Sequence, residues 1–174
     1  MNLTLKSVRL NSVDLFRESG DVMGDSWSGI VDVGSKPIVR REATATGMIL
    51  LRSESIEAVA NGSSPKGDVR EASTISAIQA VKETSRTLPH CHPIPIEGCY
   101  VEWELEERGL RCSVTVRTHW STGVEMEALC GVSAGLLCAW DMLKPIEKDN
   151  EGQYPEVRIE DIRVIRKKKA HPQD

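Results

Sequence analysis

Lysine and carboxylate side chains occur in this sequence where apolar patterning does not require them. Lys66 lies at the entry to a helix that Asp68 can cap, and a cation beside a helix N-terminus is a natural site for an anion. Near the end of a long apolar helix, Asp141 and Lys144 are three residues apart and so share a face. A carboxylate held beside a cation can exchange protons, although a helical ion pair explains the same spacing. These residues indicate anion binding and acid–base chemistry.

A second polar group is the run His90-Cys91-His92, which precedes two prolines. In an extended chain, His90 and His92 point to one side and Cys91 to the other. One histidine could exchange protons or contact a phosphate. A zinc site needs three or four protein ligands, and the nearest other histidine in the sequence is His119. Acid–base chemistry, metal binding and a structural role all remain open here.

A third polar group opens the long helix. Gly123 is followed closely by Glu125, Met126 and Glu127. The two glutamates are two residues apart and therefore do not share a helix face. Carboxylates at a helix start also interact favourably with the helix dipole, so the pattern alone leaves their role open.

The segments that position these residues alternate between strand and helix patterns. Alternation of apolar and polar residues predicts strands, and apolar residues three or four apart predict helices. These patterns predict a strand at 39–51, a short helix that Ser53 caps, a helix between Asp68 and Pro89, a hairpin turning at 107–109, a helix at 123–144 and a strand at 157–164. This order is typical of an α+β fold, a ferredoxin-like split βαβ with an antiparallel sheet and an additional short helix.

The same patterns predict how the elements pack and pair. Leu105 opposite Leu110 would set Glu104 against Arg111 across the hairpin. A phase slip at 160–161 indicates a β-bulge in the last strand. The buried face of the second helix is expected to be a stripe of apolar residues: Val69, Ala72, Ile75, Ile78 and Val81.

Composition bounds the class of protein. The 174 residues include 22 Lys and Arg and 26 Asp and Glu, a formal net charge of −4, and 40% are hydrophobic. This balance is typical of a globular chain, and its mild acidity disfavours nucleic-acid binding. No apolar run approaches the ~20 residues that span a bilayer. The start lacks the pattern of a secretory signal, and the five cysteines lack C-x-x-C spacing, so we expect reduced thiols and a cytoplasmic location.

The chain divides into three parts. Residues 1–30 are weakly patterned and rich in turn formers, which predicts an N-terminal arm. Residues 31–166 hold all the predicted elements and are expected to form one ferredoxin-like domain. Residues 167–174 are expected to form a basic C-terminal tail.

Seven short motifs occur in one order between Val31 and Ile165: DVGSKP, REATATG, KGDV, LPHCHPIP, TGVEMEAL, WDMLK and RIEDIR. In this combination they resemble the cyclic pyranopterin monophosphate synthase (MoaC) family. The resemblance implies a lyase of molybdenum cofactor biosynthesis, which converts 3′,8-cyclo-7,8-dihydro-GTP into cyclic pyranopterin monophosphate and releases pyrophosphate. It also implies a catalytic domain without cofactor or metal, in hexamers built from dimers, with sites where two subunits meet. Neither nucleic acid nor a membrane is an expected partner.

The resemblance also implies roles for particular residues. The expected catalytic residues are Asp141, Lys144, Lys66 and His92. The expected substrate-binding residues are Cys91, His92, Met126, Glu127 and Arg41, together with His90, which replaces the leucine usual in the family and could add a cation near the phosphates. Pro145 also departs from the family, which usually has a small helical residue there, and predicts that the long helix ends sooner.

Two other classes of function are the alternatives. One is a metal-dependent hydrolase that uses His90 and His92 with His119. The other is a non-catalytic ferredoxin-like assembly module, which would lack a pocket where Lys66, His92, Asp141 and Lys144 converge.

Overall fold

A four-stranded antiparallel sheet with helices packed against it forms the core of the chain. The structure is a computed structural model that describes residues 29–171, so most of the arm predicted at residues 1–30 lies outside the described residues. The elements follow in the order β1 (Val39–Leu50), α1 (Ser53–Asn61), α2 (Val69–Lys82), α3 (Thr84–Thr87), β2 (Gly98–Glu106), β3 (Gly109–Trp120), α4 (Glu125–Glu147) and β4 (Arg158–Lys169). The predicted ferredoxin-like α+β fold is confirmed.

The strands lie in the order β2-β3-β1-β4, and each neighbouring pair is antiparallel. β1 is therefore an interior strand, and α4 packs directly on it at Gly47. A Cβ atom on Gly47 would lie 2.8 Å from Val132 and 2.9 Å from Leu136, both fully buried residues of α4. Burying a side chain of this size contributes about 1.5–3 kcal/mol, so α4 is a main source of core stability.

The apolar stripe predicted on α2 is confirmed at its two ends, Val69 and Val81, and is wrong between them. Ile75 is 61% exposed, and the buried positions of the helix are Val69, Ser73, Ala77 and Val81. Small side chains explain the difference, because they let α2 approach the glycines of α4. A Cβ atom on Gly135 would lie 3.4 Å from Ala77, and one on Gly131 would lie 2.8 Å from Val81.

The predicted hairpin register is confirmed, with Leu105 opposite Leu110 and Glu104 opposite Arg111. The predicted bulge in β4 is also confirmed. The pairing of β4 with β1 shifts between Thr46 and Met48, and Asp161, at that shift, has a φ of 60°. A second shift follows between Thr44 and Ala45. Bulges of this kind re-aim side chains and bend an edge strand.

The ends of three elements differ from the predictions. Arg52 rather than Ser53 is the N-cap residue of α1, and no side chain caps that helix. The tail expected from residue 167 begins later, because Lys169 still pairs with Arg41 on β1. The early end predicted for α4 at Pro145 is wrong, since the helix continues to Glu147.

The length and apolar composition of α4 are those of a helix that could cross a membrane. Half of its most apolar stretch is buried inside the fold. Its buried positions face β1, β3 and α2, as in the core helix of an α+β domain.

Candidate functional site

Two lysines and one aspartate from separate parts of the chain meet near the end of α4. Nζ of Lys66 lies 2.8 Å from Oδ2 of Asp141 and 2.8 Å from the main-chain oxygen of the same residue. Nζ of Lys144 lies 2.9 Å from Oδ1. Asp141 and Lys144 are one helical turn apart, whereas Lys66 comes from the loop between α1 and α2. We refer to these three residues as the lysine cluster.

The loop that carries Lys66 is fixed at both ends. Gly62 ends α1 with a φ of 66°, a conformation that favours glycine. Asp68 begins α2, where its Oδ1 accepts a hydrogen bond of 3.0 Å from the backbone N–H of Glu71. The N-cap predicted at Asp68 is thereby confirmed, and Lys66 projects from a turn whose two ends are fixed.

The two ammonium groups control the charge of Asp141. Hydrogen bonds from Lys144 and then Lys66 lower the pKa of Asp141 to about 2, and Asp141 in turn raises the pKa of Lys144. The carboxylate is therefore ionised at neutral pH and binds protons weakly. The cluster carries two positive charges and one negative charge, on side chains that solvent reaches, and it can attract an anion.

A second group lies at the other end of α4. Glu127 is only 3% exposed, and burial raises its pKa, with a smaller contribution from Glu125. Burial also raises the pKa of the Cys91 thiol, and the nearby Glu127 and Cys130 raise it further. Cys91 is thus protonated rather than a thiolate at neutral pH, and Glu127 is a carboxyl group able to hold and release a proton. We refer to these two residues as the Cys91–Glu127 pair.

The two histidines beside Cys91 bind the chain that precedes β1. Nδ1 of His90 lies 2.7 Å from the carbonyl oxygen of Gly29, and Nε2 of His92 lies 2.7 Å from that of Val31. The two acceptors belong to the same short segment, so both rings face it, although residues 88–91 form a turn rather than the extended chain that the prediction assumed. A carbonyl oxygen only accepts, so Nε2 of His92 carries a proton.

Arg41 is positioned for a structural contact. The residue is 9% exposed; its Nε donates to the carbonyl oxygen of Trp120 and its Nη2 to that of Ser121, both at 2.9 Å. These bonds fix the connection between β3 and α4, just before Glu127. Met126 is 42% exposed at the start of the same helix.

The lysine cluster and the Cys91–Glu127 pair are separated within one chain. Glu127 and Asp141 lie fourteen residues apart on α4, which corresponds to about 21 Å at 1.5 Å per residue. At 3.6 residues per turn, the two positions differ by only about 40° around the helix axis. The predicted site residues therefore form two groups, at opposite ends of one helix face.

Sequence reasoning missed one polar group of this site, the main-chain oxygen of Asp141. The sequence did indicate this free acceptor, because Pro145, four residues later, has no N–H to donate to the oxygen. Cys130, which helps raise the pKa of Cys91, was also missed, because in the sequence it is one of several cysteines in an apolar context.

Other candidate ligands do not assemble into a metal site. Within residues 29–171, no group of three or more His, Cys, Asp or Glu side chains could hold a metal ion. His119 lies on the sheet opposite Arg40, where a cleft of about 460 Å³ is also lined by Arg117 and Tyr100. The alternative of a metal-dependent hydrolase therefore has no ligand set in the described chain.

Comparison with known proteins adds a family likeness over the same region. Residues 30–170 match the model of the MoaC family. A Methanothermobacter thermautotrophicus protein named probable cyclic pyranopterin monophosphate synthase accessory protein is 52% identical over 140 residues, covering 80% of this chain and 88% of the relative. Proteins named probable cyclic pyranopterin monophosphate synthase are 51% identical in Sulfurisphaera tokodaii, covering 82% and 94%, and 49% identical in Thermococcus kodakarensis, covering 81% and 90%.

Proposed function

Because this chain belongs to the MoaC family, we propose that it is a cyclic pyranopterin monophosphate synthase. It is a lyase of molybdenum cofactor biosynthesis that converts 3′,8-cyclo-7,8-dihydro-GTP into cyclic pyranopterin monophosphate and pyrophosphate. The observation that carries the proposal is the lysine cluster, in which Lys66 and Lys144 flank Asp141 at 2.8 and 2.9 Å. No cofactor is part of the proposal.

The lysine cluster binds the polyphosphate of the substrate. Formation of the cyclic phosphate joins a sugar hydroxyl oxygen to the α-phosphorus and breaks the bond from that phosphorus to the bridging oxygen of the leaving pyrophosphate. Negative charge develops on the leaving group, and the ammonium groups of Lys66 and Lys144 stabilise it. His92, whose Nε2 bears a proton, is a further donor once it leaves the Val31 carbonyl.

Two carboxyl groups share the proton transfers. Glu127 is better suited than Asp141 to carry a proton, because burial raises its pKa. Asp141 is too acidic for this in the free protein. A bound polyphosphate draws Lys144 toward itself and repels the carboxylate, and both effects raise the pKa of Asp141. Asp141 therefore becomes a base as the substrate binds.

A complete site requires two copies of the chain. The lysine cluster and Glu127 are about 21 Å apart along one face of α4. Between them on that side of the helix lie Cys130, Ala134 and Cys138, which are small and partly exposed, and the neighbouring Leu137 is 60% exposed. A two-fold axis near Ala134, midway between Glu127 and Asp141, brings the lysine cluster of one chain to the Cys91–Glu127 pair of the next. Each such dimer holds two sites, and three dimers form the proposed hexamer.

The remaining predicted residues act at the edge of this composite site. Cys91, Met126 and His90 line the substrate, the first as a neutral thiol. Arg41 positions the start of α4 through the carbonyl oxygens of Trp120 and Ser121. The proposed location is the cytoplasm, in keeping with reduced cysteines.

The decisive experiment is incubation of the purified protein with 3′,8-cyclo-7,8-dihydro-GTP. We expect pyrophosphate and cyclic pyranopterin monophosphate to form in equal amounts. Pyrophosphate is measured by a coupled phosphate assay, and the pterin by its fluorescence after oxidation. GTP itself, which lacks the cyclised ring system, is the matched control substrate and should yield neither. A protein that binds the substrate and releases no pyrophosphate is not the synthase.

A further inference from the structure

Pro145 lies inside α4, with two helical residues after it. In a regular helix the N–H of residue 145 would donate to the main-chain oxygen of residue 141. Proline has no N–H, and its ring crowds the carbonyl group four residues earlier. The main-chain oxygen of Asp141 is therefore left without its helical donor at residue 145.

Lys66 supplies the missing donor. Its Nζ lies 2.8 Å from that oxygen and 2.8 Å from Oδ2 of the same residue, so one ammonium group bridges the main chain and the side chain of Asp141. We propose that Pro145 is a positioning residue for Lys66, because it creates the backbone acceptor that holds the ammonium group in the site. The role of Lys66 toward substrate rests on the proposed function; the positioning of Lys66 by Pro145 does not.

The bridge has a consequence for ligand binding. A lysine side chain is long and loses rotamer entropy when it is held in one place. Its ammonium group has three N–H donors, and the two acceptors of Asp141 take two of them. The third donor is left for an anion, and Lys66 remains 39% exposed to solvent. The orientation of that donor is fixed before the anion arrives, which reduces the ordering that binding requires.

The test is Pro145→Ala, in which the restored N–H of residue 145 competes with Lys66 for the main-chain oxygen. The first readout needs no substrate: the rate at which a limiting acylating reagent modifies Lys66, measured by mass spectrometry with exposed Lys82 as internal reference. We expect Lys66 to react about fivefold faster in the variant, since it loses one charge-assisted bond. Pro155→Ala, a change at an exposed loop proline, is the matched control and should leave that rate unchanged.

The second readout is turnover. We expect kcat/KM to fall about tenfold in Pro145→Ala, mainly through a higher KM, while the thermal midpoint rises because alanine suits a helix better than proline. In a Lys66→Ala background, Pro145→Ala should change KM by less than twofold. A merely structural proline would give an equal change in both backgrounds.

The outcomes separate the two proposals. Unchanged labelling of Lys66 in Pro145→Ala overturns the positioning role, whatever the activity. Faster labelling supports that role even if wild-type protein releases no pyrophosphate, a result that would overturn the proposed function alone. Faster labelling with unchanged KM in an active enzyme shows that the position of Lys66 does not matter for the reaction, and overturns the catalytic part of the inference.

Discussion

The carboxylate of Glu147 accepts a hydrogen bond from the backbone N–H of Arg52, with 3.0 Å between Oε1 and the nitrogen. Glu147 is the last residue of α4 and is fully buried, and Arg52 is the residue from which α1 begins. The bond ties the end of the core helix to the segment that leads through α1 to Lys66. It therefore helps hold together the two parts of the chain that meet at Asp141.

Glu147→Ala tests this tie. The change leaves the N–H of Arg52 without its acceptor and opens space in the core, so we expect the free energy of unfolding to fall by about 1–3 kcal/mol. Urea unfolding followed by circular dichroism measures the change. Glu151→Ala, at an exposed loop position, is the control and should shift stability by less than about 0.5 kcal/mol. Equal stability of the two variants would contradict a structural role for Glu147.

Asp141→Asn and Lys66→Ala test the lysine cluster. Both positions are solvent-accessible, so each variant should fold and keep the oligomeric state of the wild type. We expect turnover to fall by about 100-fold or more, the scale of losing a proton carrier or an electrostatic contact to the reacting group. Pyrophosphate release under single-turnover conditions measures this loss, with Lys82→Ala as an unaffected control. Full activity in either variant would remove that residue from the mechanism.

Acid titration tests the electrostatic coupling of Asp141. Its pKa is lowered from 3.8 to about 2 in the folded chain, so the ionised form is favoured by folding. The resulting stabilisation is complete above the unfolded-state pKa and is lost as pH falls through about 2. The stability difference between wild type and Asp141→Asn should therefore shrink between about pH 4 and pH 2.

The same pKa can be followed at the carboxyl carbon by NMR. In Lys144→Ala the pKa of Asp141 should move upward toward 3.8, because the largest cause of its lowering is removed. Glu71→Gln, at an exposed position in the first turn of α2, should leave it unchanged. An unaltered Asp141 titration in Lys144→Ala would mean that the two side chains do not interact in solution.

Local patterns were enough to predict where the four strands lie, although the last strand continues to Lys169, beyond its predicted end at residue 164. Alternation between Leu105 and Leu110 set the hairpin register, because a slip of one residue would turn every apolar side chain outward. Helix packing was less predictable. The apolar stripe through Ile75 is a valid amphipathic pattern, but the contact between α2 and α4 is decided by small residues that permit close approach, and volume is not visible in periodicity.

Only part of the geometry of the candidate site could be predicted from the sequence. Asp141 and Lys144 share a face by spacing alone, whereas the arrival of Lys66 depends on the loop after α1. The prediction ended α4 too early. Lys66 donates to the main-chain oxygen of Asp141 in place of the N–H that Pro145 lacks, and this contact is distant in sequence. The separation of Glu127 from Asp141 follows from helix rise once both are placed on α4, but the second chain that would reunite them leaves no mark in a single sequence.

Complementation between two inactive variants tests whether the site is shared. Glu127→Gln removes the buried carboxyl group, and Asp141→Asn removes the other half of the proposed site. In a two-fold dimer that contains one copy of each variant, one site carries both changes and the other carries neither. Co-expression at equal levels makes half of the dimers mixed, so we expect about a quarter of wild-type activity from two chains that are each inactive alone. Co-expressing Glu127→Gln with the double variant Glu127→Gln/Asp141→Asn is the matched control, because every site then lacks the buried carboxyl group. Activity in the mixed sample no higher than that of the separate variants would contradict a site shared between two chains.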